Sequence, residues 1–592
     1  MVNNFSIVVA STNGSGSLTA NLILLRSLFL MGIPVSSKNI FPSNIQGLPT
    51  WYYIRLSSRG FEAHRKNAEV LVAFNRLTFG DDLANLPSGG ICLRPDSWSD
   101  APEREDVITY TVPVDAFLRD AGIRGKNRDY LSNMVYVGAI AQLLGIEFAA
   151  VEQSLGHHFE GKESLYKLNA SMVSIAYHWV GDNTQKQDPF LVAPMDSNKD
   201  KLLITGNEAA ALGAIFGGVS LASWYPITPA TGLIDALSIL LPKLRIDEES
   251  GKPTYAVIQA EDELSAIGMV IGAGWAGARA MTATSGPGIS LMTEFASLGY
   301  FAEVPAVIWD VQRIGPSTGL PTRTAQGDVM STYFLGHGDS QSILLFPATV
   351  AECFEFGYGA FDLAEELQTP VFVMSDLDLG MNTWMSDPFE YPKQPMKRGK
   401  VLSEEEVSEV GFSRFADLEG DGIPYRTLPG NRHPLSAYLG RGTGHNRDGK
   451  YSEKPADWEQ NMERLTRKFE TARELVPKPI VDEPDQARLG FLAYGSTLPA
   501  VEEARALLSD RSVPSGFMRI RALPFMKQVR DYLEHYDRVF VVELNRDGQM
   551  HMLLSMEYPD LAGKLISISR NDGLPFTAEQ ILEQVQINEP QI

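Results

Sequence analysis

The stretch Tyr225–Gly232 reads YPITPATG and lies between an apolar segment, Ala209–Trp224, and a helical segment, Leu233–Leu241. Its two prolines fix their own φ angles and restrict the residues before them, so the loop is stiff. The loop also presents the hydroxyl groups of Tyr225 and Thr228. A stiff loop with hydroxyls after a strand suits the binding of a small polar substrate, but by itself it also fits an ordinary proline-rich turn.

Strands and helices alternate after this loop, and the pattern predicts a parallel sheet with helices on both faces. We assign residues 202–385 to this doubly wound α/β domain. One helix is predicted at Val350–Leu367. The strand candidates are Ala256–Gln259, Ala280–Thr284, Ala306–Trp309, Ser342–Phe346 and Val371–Met374.

Three other segments complete the predicted organisation of the chain. Residues 1–190 are predicted to form an α/β domain that begins with the strand Phe5–Ala10 and the helix Leu18–Gly32. Residues 386–485 are rich in proline, glycine and charge, and we predict an irregular linker that wraps another surface. Residues 486–592 alternate between strand and helix again, which predicts a smaller α/β domain.

Composition excludes several classes of protein. The 592 residues carry a net charge of −22, and we find no basic stripe, so a nucleic-acid partner is not expected. The two cysteines, Cys92 and Cys353, are far apart, which fits a reducing compartment and excludes a four-cysteine iron–sulfur cluster on this chain alone. The apolar segment Leu18–Met31 contains Arg26 and is too short to span a membrane. We therefore expect a cytoplasmic protein without a membrane partner.

Three acidic residues, Glu261–Glu263, stand at the start of a glycine-rich helix. Glycine costs roughly 1 kcal/mol at an interior helix position, so repeated glycines predict the close approach of a partner helix or a cofactor. A carboxylate is favourable at a helix N-terminus for electrostatic reasons alone. It could also form a hydrogen bond with a heterocycle nitrogen. The helix glycines are Gly268, Gly272, Gly274 and Gly277.

Two further segments follow predicted strands. Thr284–Gly288 reads TSGPG and opens a helix, so its backbone amides could face a ligand, although a tight turn explains the sequence equally well. Arg313 ends the apolar strand Ala306–Val311 and begins a Gly/Pro-rich loop. Ligands bind at the carboxyl ends of strands in open α/β sheets, and a guanidinium group suits a substrate carboxylate. The simpler alternative is that Arg313 anchors its loop through a salt bridge.

Other motifs carry weaker signals. Gly14 and Gly16 lie in a loop between a strand and a helix, as in phosphate-binding loops, but neither GxGxxG nor a P-loop lysine is present. Gly420–Gly422 reads GDG, but no strand precedes it and prolines follow it, so we predict a turn. His433 and His445 are interpreted as solvated loop histidines, and no metal ligand is assigned.

Together these segments resemble the α subunit of the 2-oxoacid:ferredoxin oxidoreductases, in the form that has a γ domain fused ahead of it. The resemblance covers nearly the whole chain. It implies a γ-type α/β domain, a pyrimidine-type domain that binds thiamine diphosphate, and a transketolase C-terminal-like domain. It is carried by Ser43–Gly47, Tyr225–Pro229, Glu261–Glu263, Thr282–Gly288, Val311–Thr322, Val542–Asn545 and Gly548–Gln549.

The resemblance also implies cofactors and partners. A separate β subunit would carry the diphosphate–Mg²⁺ part of the thiamine site and a [4Fe-4S] cluster, ferredoxin would accept the electrons, and two αβ heterodimers would assemble. Coenzyme A would be the co-substrate, bound between the first domain and the pyrimidine-type domain. The expected reaction converts 2-oxoglutarate to succinyl-CoA, with pyruvate and branched-chain oxoacids as alternatives. A noncatalytic acyl-CoA- or nucleotide-binding scaffold is the alternative from another class.

Site residues follow from the same resemblance. Glu263, nine residues before Gly272, would form a hydrogen bond with the aminopyrimidine ring. Thr228 would place its hydroxyl beside the substrate, and Arg313 would hold the oxoacid carboxylate. Further substrate contacts are expected at Thr318 and Arg323. Either Arg323 or lysine and arginine residues of the first domain would bind the distal carboxylate. The other cofactor contacts are expected at Tyr225, Pro226, Ser285, Gly286, Gly14, Gly16, Ser43 and Asn44.

Overall fold

The computed structural model describes residues 1–43, 47–125, 127–438, 440 and 442–590. The chain forms two compact units. The N-terminal unit contains residues 1–204 and 382–388, and the C-terminal unit contains residues 205–381 and 389–592. Within the described residues, no helix combines the length and the apolar character that a membrane crossing requires.

The N-terminal unit is built on a six-stranded sheet with the order β2-β3-β1-β4-β5-β6. Its first strand is antiparallel to β3 and parallel to β4. The apolar side chains of Ile7, Val9, Leu24 and Ile140 are fully buried in its core. The strands are β1 (Asn4–Thr12), β2 (Val35–Ile40), β3 (Pro49–Ser57), β4 (Val70–Ala73), β5 (Ile91–Pro95) and β6 (Ile108–Val112). The helices are α1 (Ser17–Leu30), α2 (Phe79–Ala84), α3 (Val114–Asp120), α4 (Asn127–Leu144), α5 (Phe148–His158) and α6 (Glu163–Asn183).

The antiparallel pair β2–β3 was not predicted from the sequence. The sequence of β2 is VSSKNI, which lacks the apolar alternation of an ordinary strand. Its polar side chains are nevertheless buried, and the Lys38 ammonium lies 3.6 Å from the centre of the Trp384 ring. A cation over an aromatic face replaces the usual apolar contact.

The C-terminal unit contains the predicted parallel sheet. Neighbouring parallel strands run in the order β9-β8-β10-β11-β13-β12. The five strands predicted in this region are confirmed, and the end of the apolar segment Ala209–Trp224 forms a sixth, β8. The strands are β8 (Leu221–Trp224), β9 (Ala256–Gln259), β10 (Ala280–Thr284), β11 (Ala306–Gln312), β12 (Ile343–Leu345) and β13 (Pro370–Asp376). Strands β7 (Leu202–Thr205) and β14 (Thr383–Ser386) pair in a separate small sheet that, except for Thr205, falls in the N-terminal unit. The helices are α7 (Gly206–Phe216), α8 (Thr231–Leu244), α9 (Glu263–Trp275), α10 (Gly286–Leu291), α11 (Thr293–Phe301), α12 (Val329–Tyr333), α13 (Val350–Leu367) and α14 (Leu377–Met381).

The segment 386–485, for which we expected irregular structure, contains α15 (Glu404–Val410) and a long helix, α16 (Pro455–Leu475). The periodicity of α16 is hidden in the sequence because its buried face carries charge. Arg464 and Lys468 are buried there and form ion pairs with the buried Glu303 carboxylate at 2.6 and 2.7 Å.

Two smaller expectations concern the same segment. The Gly420–Gly422 motif forms a bend, in agreement with the sequence analysis, and Asp421 pairs with Lys400 at 2.8 Å. His445 is not solvated as expected. It is buried against the rings of Phe301 and Phe415, and burial lowers the pKa of its imidazole. The lack of apolar periodicity in this segment gave no sign that its aromatic residues pack together.

A five-stranded sheet closes the C-terminal unit, with the order β15-β17-β16-β19-β20. The predicted alternation of strands and helices is confirmed. The strands are β15 (Ile480–Asp482), β16 (Leu489–Ala493), β17 (Ser515–Arg519), β18 (Ala522–Leu523), β19 (Arg538–Glu543) and β20 (Leu565–Ser569), and β18 instead pairs antiparallel with β12. The helices are α17 (Leu498–Asp510), α18 (Lys527–His535), α19 (Gln549–Glu557) and α20 (Ala578–Asn588).

Candidate active site

The carboxyl ends of β8, β10 and β11 carry the three loops that the sequence analysis selected. Parallel strands end at the same edge of a sheet, so these loops converge. The contact that proves it is a hydrogen bond of 2.7 Å from Arg313 Nη1 to the carbonyl oxygen of Thr228. Thr228 is half-buried, whereas Tyr225 and Pro226 in the same loop are exposed.

The three acids that precede α9 have different environments. Glu261 is exposed. Asp262 caps the helix, because its side chain accepts a hydrogen bond of 2.7 Å from the Ser265 amide. Glu263 is the first residue of α9 and is buried. Of the three, Glu263 therefore has the carboxyl group that the fold holds in a fixed and enclosed position.

The TSGPG loop lies directly on Glu263. A Cβ atom at Gly288 would come within 2.8 Å of Glu263 Cγ, so only glycine fits at this point without displacing the glutamate. The neighbouring Ser285 is fully buried, and its Oγ atom finds no hydrogen-bond partner among the described residues. A buried polar atom without a partner is costly, and it indicates a group that the bound state supplies.

Arg313 is buried at the end of β11 and lines a cavity of about 520 Å³. Burial lowers the pKa of its guanidinium, while the carboxylates of Asp328 and Glu263 raise it. Its Nε atom has no hydrogen-bond partner within the part of the chain that the structure describes. One nitrogen of the guanidinium is thus committed to the Thr228 loop, and the buried Nε atom is left unsatisfied.

The cavity brings together residues from distant parts of the C-terminal unit. Of the predicted site residues, Gly286 and Arg313 line it. Thr318 is exposed and does not line it. Arg323 also lies outside the lining, donates to the carbonyl oxygen of Thr322 at 2.9 Å, and packs against Gly573. The full lining is Gly286, Pro287, Ser290, Arg313, Ile314, Gly315, Pro316, Ser317, Ala325, Gly327, Asp328, Asn545, Arg546, Asp547, Gln549 and Asn571.

Sequence reasoning missed the contribution of the C-terminal sheet. Asn545 and Arg546 follow the end of β19 and line the cavity. Gln326 connects the loop after Arg313 to the segment after β19. Its backbone amide donates to the Leu544 carbonyl at 2.7 Å, and its side-chain oxygen accepts from the Leu544 amide at 2.9 Å. Position at the carboxyl end of a parallel strand was the signal that could have identified Asn545.

Asp328 and Asp310 are also absent from the sequence-based site. A Cβ atom at Gly286 would lie 2.7 Å from both carboxylate oxygens of Asp328, so this carboxylate sits against the backbone of the TSGPG loop. Asp310 is fully buried within β11 and is paired with Asp328. Asp310 falls inside the apolar run AVIWDVQ, and a charged residue type within this run was the one sequence clue that it belongs to a site.

The N-terminal unit has its own cavity, of about 640 Å³, beside the loop that follows β1. Gly14 lines it, and Gly14 and Gly16 adopt φ angles of 81° and 83° that favour glycine. Asn133 Nδ2 donates to the Ser15 carbonyl at 2.8 Å and joins this loop to α4. Ser43 is exposed, and Asn44 lies outside the described residues.

The lining of this N-terminal cavity is polar but not basic. Asp115 and Asp129 line it, and none of the described lining residues is a lysine or an arginine. Tyr130 and Trp98 add aromatic surface. Such a lining offers hydrogen bonds and stacking rather than a charge clamp for phosphate groups.

Comparison with known proteins identifies the family. Residues 212–413 match the family model described as "Pyruvate flavodoxin/ferredoxin oxidoreductase, thiamine diP-bdg", and residues 6–179 match "Pyruvate ferredoxin/flavodoxin oxidoreductase". The 2-oxoacid:ferredoxin oxidoreductase 1 subunit alpha of Sulfurisphaera tokodaii is 33% identical, and the alignment covers 98% of this chain and 96% of that protein. This chain belongs to the 2-oxoacid:ferredoxin oxidoreductase family.

Two further relatives of this oxidoreductase are informative. The 2-oxoglutarate synthase subunit KorA of Methanothermobacter thermautotrophicus is 36% identical over 59% of this chain and 89% of its own length. The solved 2-oxoglutarate:ferredoxin oxidoreductase from Magnetococcus marinus, with 2-oxoglutarate, coenzyme A and succinyl-CoA bound, is 29% identical, covers 99% of both chains and has a TM-score of 0.88. The family resemblance and the multi-domain α/β fold with a thiamine diphosphate-binding domain are therefore confirmed.

Proposed function

We propose that this chain is the α subunit, with a fused γ domain, of an enzyme that oxidatively decarboxylates 2-oxoglutarate to succinyl-CoA and reduces ferredoxin. The observation that carries the proposal is the convergence of Glu263, Gly288, Arg313 and Thr228 at one edge of the parallel sheet. An enclosed carboxyl group, a glycine that gives it room and a fixed guanidinium are what a thiamine-dependent oxoacid site requires.

The residues present fit the aminopyrimidine half of thiamine diphosphate. The Ser285 hydroxyl lacks a partner in the described chain, and the Glu263 side chain is buried and packs against Gly288, three residues after Ser285. When bound, thiamine diphosphate would stabilise the carbanion that remains as CO₂ leaves the oxoacid. Glu263 would hold a proton at a nitrogen of the pyrimidine ring, and the Ser285 hydroxyl would provide a second hydrogen bond.

Arg313 would bind the carboxylate next to the oxo group. Its Nη1 atom is held by Thr228, its buried Nε has no partner among the described residues, and the residue lines the cavity, so the fold places a positive charge at the cavity wall. A charge-assisted hydrogen bond from a fixed guanidinium orients the substrate and excludes other poses. Thr228 thus acts through its carbonyl oxygen, in addition to the hydroxyl role proposed from the sequence.

The choice of a dicarboxylic oxoacid is supported by a second guanidinium on the same cavity. Arg546 lines the cavity with a side chain that is 77% exposed, and it pairs with Asp547 at 2.6 Å. A distal carboxylate would replace Asp547 as its partner. Arg323, the candidate from the sequence, is instead packed on Gly573 outside the cavity lining. The names of the KorA relative and of the Magnetococcus marinus structure support the same substrate.

We propose that the cavity of the N-terminal unit takes the adenine and pantetheine parts of coenzyme A, for which its lining offers hydrogen bonds and stacking, rather than its phosphate groups. Its volume of about 640 Å³, the glycine-rich loop and the aromatic ring of Tyr130 support this assignment. We also propose the domain boundaries expected from the sequence and the assembly of two αβ heterodimers. The β subunit would bring Mg²⁺, the diphosphate site and the [4Fe-4S] cluster, since both cysteines of this chain are buried and far apart.

Co-expression with the partner tests the proposal. The chain would be purified with a β subunit from a neighbouring reading frame that encodes GDG and cysteine motifs. We expect ferredoxin reduction that requires both 2-oxoglutarate and CoA, and no turnover by this chain alone. Turnover at a normal rate without the β subunit would refute the subunit assignment, and CoA binding without any oxoacid turnover by the complex would favour a scaffold. Tyr130→Ala should raise the KM for CoA and leave the KM for the oxoacid unchanged.

A further inference from the structure

Two buried carboxyl groups, Asp310 and Asp328, meet next to the cavity that holds Arg313. Asp310 lies on β11 between Thr284 of β10 and Met374 of β13 and is fully buried. Asp328 caps α12 and lines the cavity. The two side chains are close enough to share a hydrogen bond when one of them is protonated. With both ionised, neither carboxylate oxygen of Asp310 has a hydrogen-bond partner among the described residues.

Ionising both carboxyl groups of such a pair has a large free-energy cost. Two carboxylates in contact repel each other, and in a buried place they retain one proton between them. Burial raises the pKa of Asp310 well above its usual range, and the charge of Asp328 raises it further. Burial also raises the pKa of Asp328, to about 6, although its hydrogen bond with Asp310 and the charge of Arg313 oppose the change.

The charges around the pair come from several elements. Arg313 at the end of β11 interacts directly with Asp328, and Glu263 at the start of α9 also acts on Arg313. Arg546 and Asp547, which follow β19, line the same cavity. The pair therefore faces one buried arginine, which is the group expected to bind the oxoacid.

Uncharged neighbours complete the surroundings. The TSGPG loop presents only the backbone of Gly286 to Asp328. The Asp328 amide donates to Gln312 Oε1 at 3.1 Å, and Gln549 Nε2 donates to the Gly327 carbonyl at 2.7 Å. These bonds fix the peptide group that joins Gly327 to Asp328. Its carboxyl group can therefore change protonation state without a large movement of its loop.

We propose that Asp310 and Asp328 form a proton-sharing pair, and that binding of an anionic oxoacid beside Arg313 draws a further proton from solvent onto this pair. The inference rests on the proposed function. The oxoacid carboxylate competes with Asp328 for Arg313 and adds a second negative charge. Protonation of Asp328 removes that repulsion. Asp328 is thus a positioning residue that acts through Arg313.

The sign of the pH dependence follows from this arrangement. At pH values below the pKa of Asp328 the pair is neutral, and its electrostatic repulsion of the oxoacid carboxylate is smallest. As the pH rises through about 6, Asp328 becomes charged and competes for Arg313. The KM for the oxoacid should therefore increase with pH, by at most about tenfold per pH unit for one linked proton.

The experiment uses the complex with the β subunit. The KM and kcat for 2-oxoglutarate are measured across this pH range at saturating CoA. Proton uptake on oxoacid binding is measured by calorimetry in two buffers with different ionisation enthalpies. Asp328→Asn should abolish both the rise in KM and the proton uptake. Asp310→Asn should keep the rise in KM close to its wild-type pH, because the new amide donates a hydrogen bond to the ionised Asp328 as the protonated Asp310 does.

Asp376 provides the matched control. It is buried in the same unit, and burial raises its pKa to about 6, but it bonds to Ser496 and Thr324 and does not line the cavity. Asp376→Asn should keep the wild-type pH profile and the wild-type proton uptake. A wild-type profile in Asp328→Asn, or an equal loss in Asp376→Asn, would overturn the inference. A wild-type complex that turns over with a flat KM profile would overturn this inference alone, whereas a complex without oxoacid turnover would refute the proposed function.

Discussion

Arg313 and Thr228 lie on loops from different strands, and the guanidinium of one donates to the carbonyl oxygen of the other at 2.7 Å. The sequence left two roles open for Arg313, an anchor for its own loop and a site for a carboxylate. The structure shows that it anchors, but to the YPITP loop and by a hydrogen bond. The same guanidinium faces the cavity, so one residue is placed to serve both roles.

We expect Arg313→Lys to fail to restore activity to the level of the wild type, because an ammonium group lacks the planar fork that bonds Thr228 and a carboxylate together. Arg313→Ala should lower kcat/KM for the oxoacid about ten- to a hundredfold, the loss of a charge-assisted hydrogen bond of roughly 1.5–3 kcal/mol. Steady-state kinetics for both substrates and a thermal melt measure this. A purely architectural arginine would instead give a lower Tm and equal defects toward oxoacid and CoA.

Glu263→Gln should abolish thiamine-dependent chemistry with little change in the melting temperature. The amide can still fill the space beneath Gly288, but it cannot hold an ionisable proton for the ring nitrogen. Exchange of the C2 proton of bound thiamine diphosphate is the measurement. Glu261→Gln is the matched control, since Glu261 is exposed two residues earlier. Comparable loss in Glu261→Gln would show that the wrong acid had been assigned.

Gly288→Ala should impair catalysis by displacing Thr284 and Glu263. The new methyl group would overlap Thr284 Oγ1 and lie 2.8 Å from Glu263 Cγ, so both side chains would have to move. Activity of the complex and thermal melting of the isolated chain are both measured. Gly272→Ala is the control for the melt, because a Cβ there meets open space and an alanine should stabilise α9 by about 1 kcal/mol. Full activity in Gly288→Ala would mean that the loop relaxes freely.

Arg546→Gln should raise the KM for 2-oxoglutarate and leave the KM for pyruvate unchanged. The expected effect is modest, about tenfold, because the side chain is largely exposed and water screens its charge. Asp547→Asn should act in the opposite direction, since it frees the guanidinium for a substrate carboxylate. Equal changes toward both oxoacids in Arg546→Gln would argue against a contact with the distal carboxylate.

The ion cluster around Glu303 should dominate the acid stability of the C-terminal unit. Burial works against ionisation, but the charges of Arg464 and Lys468 outweigh it and lower the pKa of Glu303 to about 2. A depressed folded-state pKa stabilises the protein above the unfolded pKa of about 4.3, and that stability is lost as the pH falls toward 2.

Variants of this cluster can be compared directly. Glu303→Gln should cost about 3–5 kcal/mol at neutral pH, because two buried cations lose their partner. Glu470→Gln, which removes an exposed carboxylate beside Arg473, should cost no more than about 1 kcal/mol. Denaturant unfolding at neutral and acidic pH measures both values. A Glu303→Gln variant as stable as the wild type at pH 7 would contradict this account.

Local sequence patterns predicted most of the sheet and part of the site. The apolar strands of the parallel sheet were visible as short β-rich runs, and Arg313 was found because it ends one of them. Helix α16 was missed because its buried face carries Arg464 and Lys468 where periodicity analysis expects apolar residues. The contact between Glu263 and Gly288 was also invisible, since it depends on how a helix and a loop pack and not on their spacing.

The part of the site that comes from the C-terminal sheet could not be predicted from local patterns. Asn545 is far from Gln326 in the chain, and only the fold brings its side-chain amide to within 3.0 Å of the Gln326 carbonyl. Asp310 and Asp328 were missed for a related reason. A single aspartate in an apolar strand gives no sign of its partner. The pair can be recognised only when the positions of both carboxyl groups are known.

The hydrogen bonds between Gln326 and Leu544 have a consequence for the ancestry and redesign of such enzymes. They couple the loop after Arg313 to the end of β19, where Arg546 resides, so the last hundred or so residues are expected to form a module that carries substrate preference. A chimera that takes this module from a pyruvate-selective relative, with Gln326 retained, should inherit the preference of the donor. The same chimera with Gln326→Ala should lose turnover of every oxoacid.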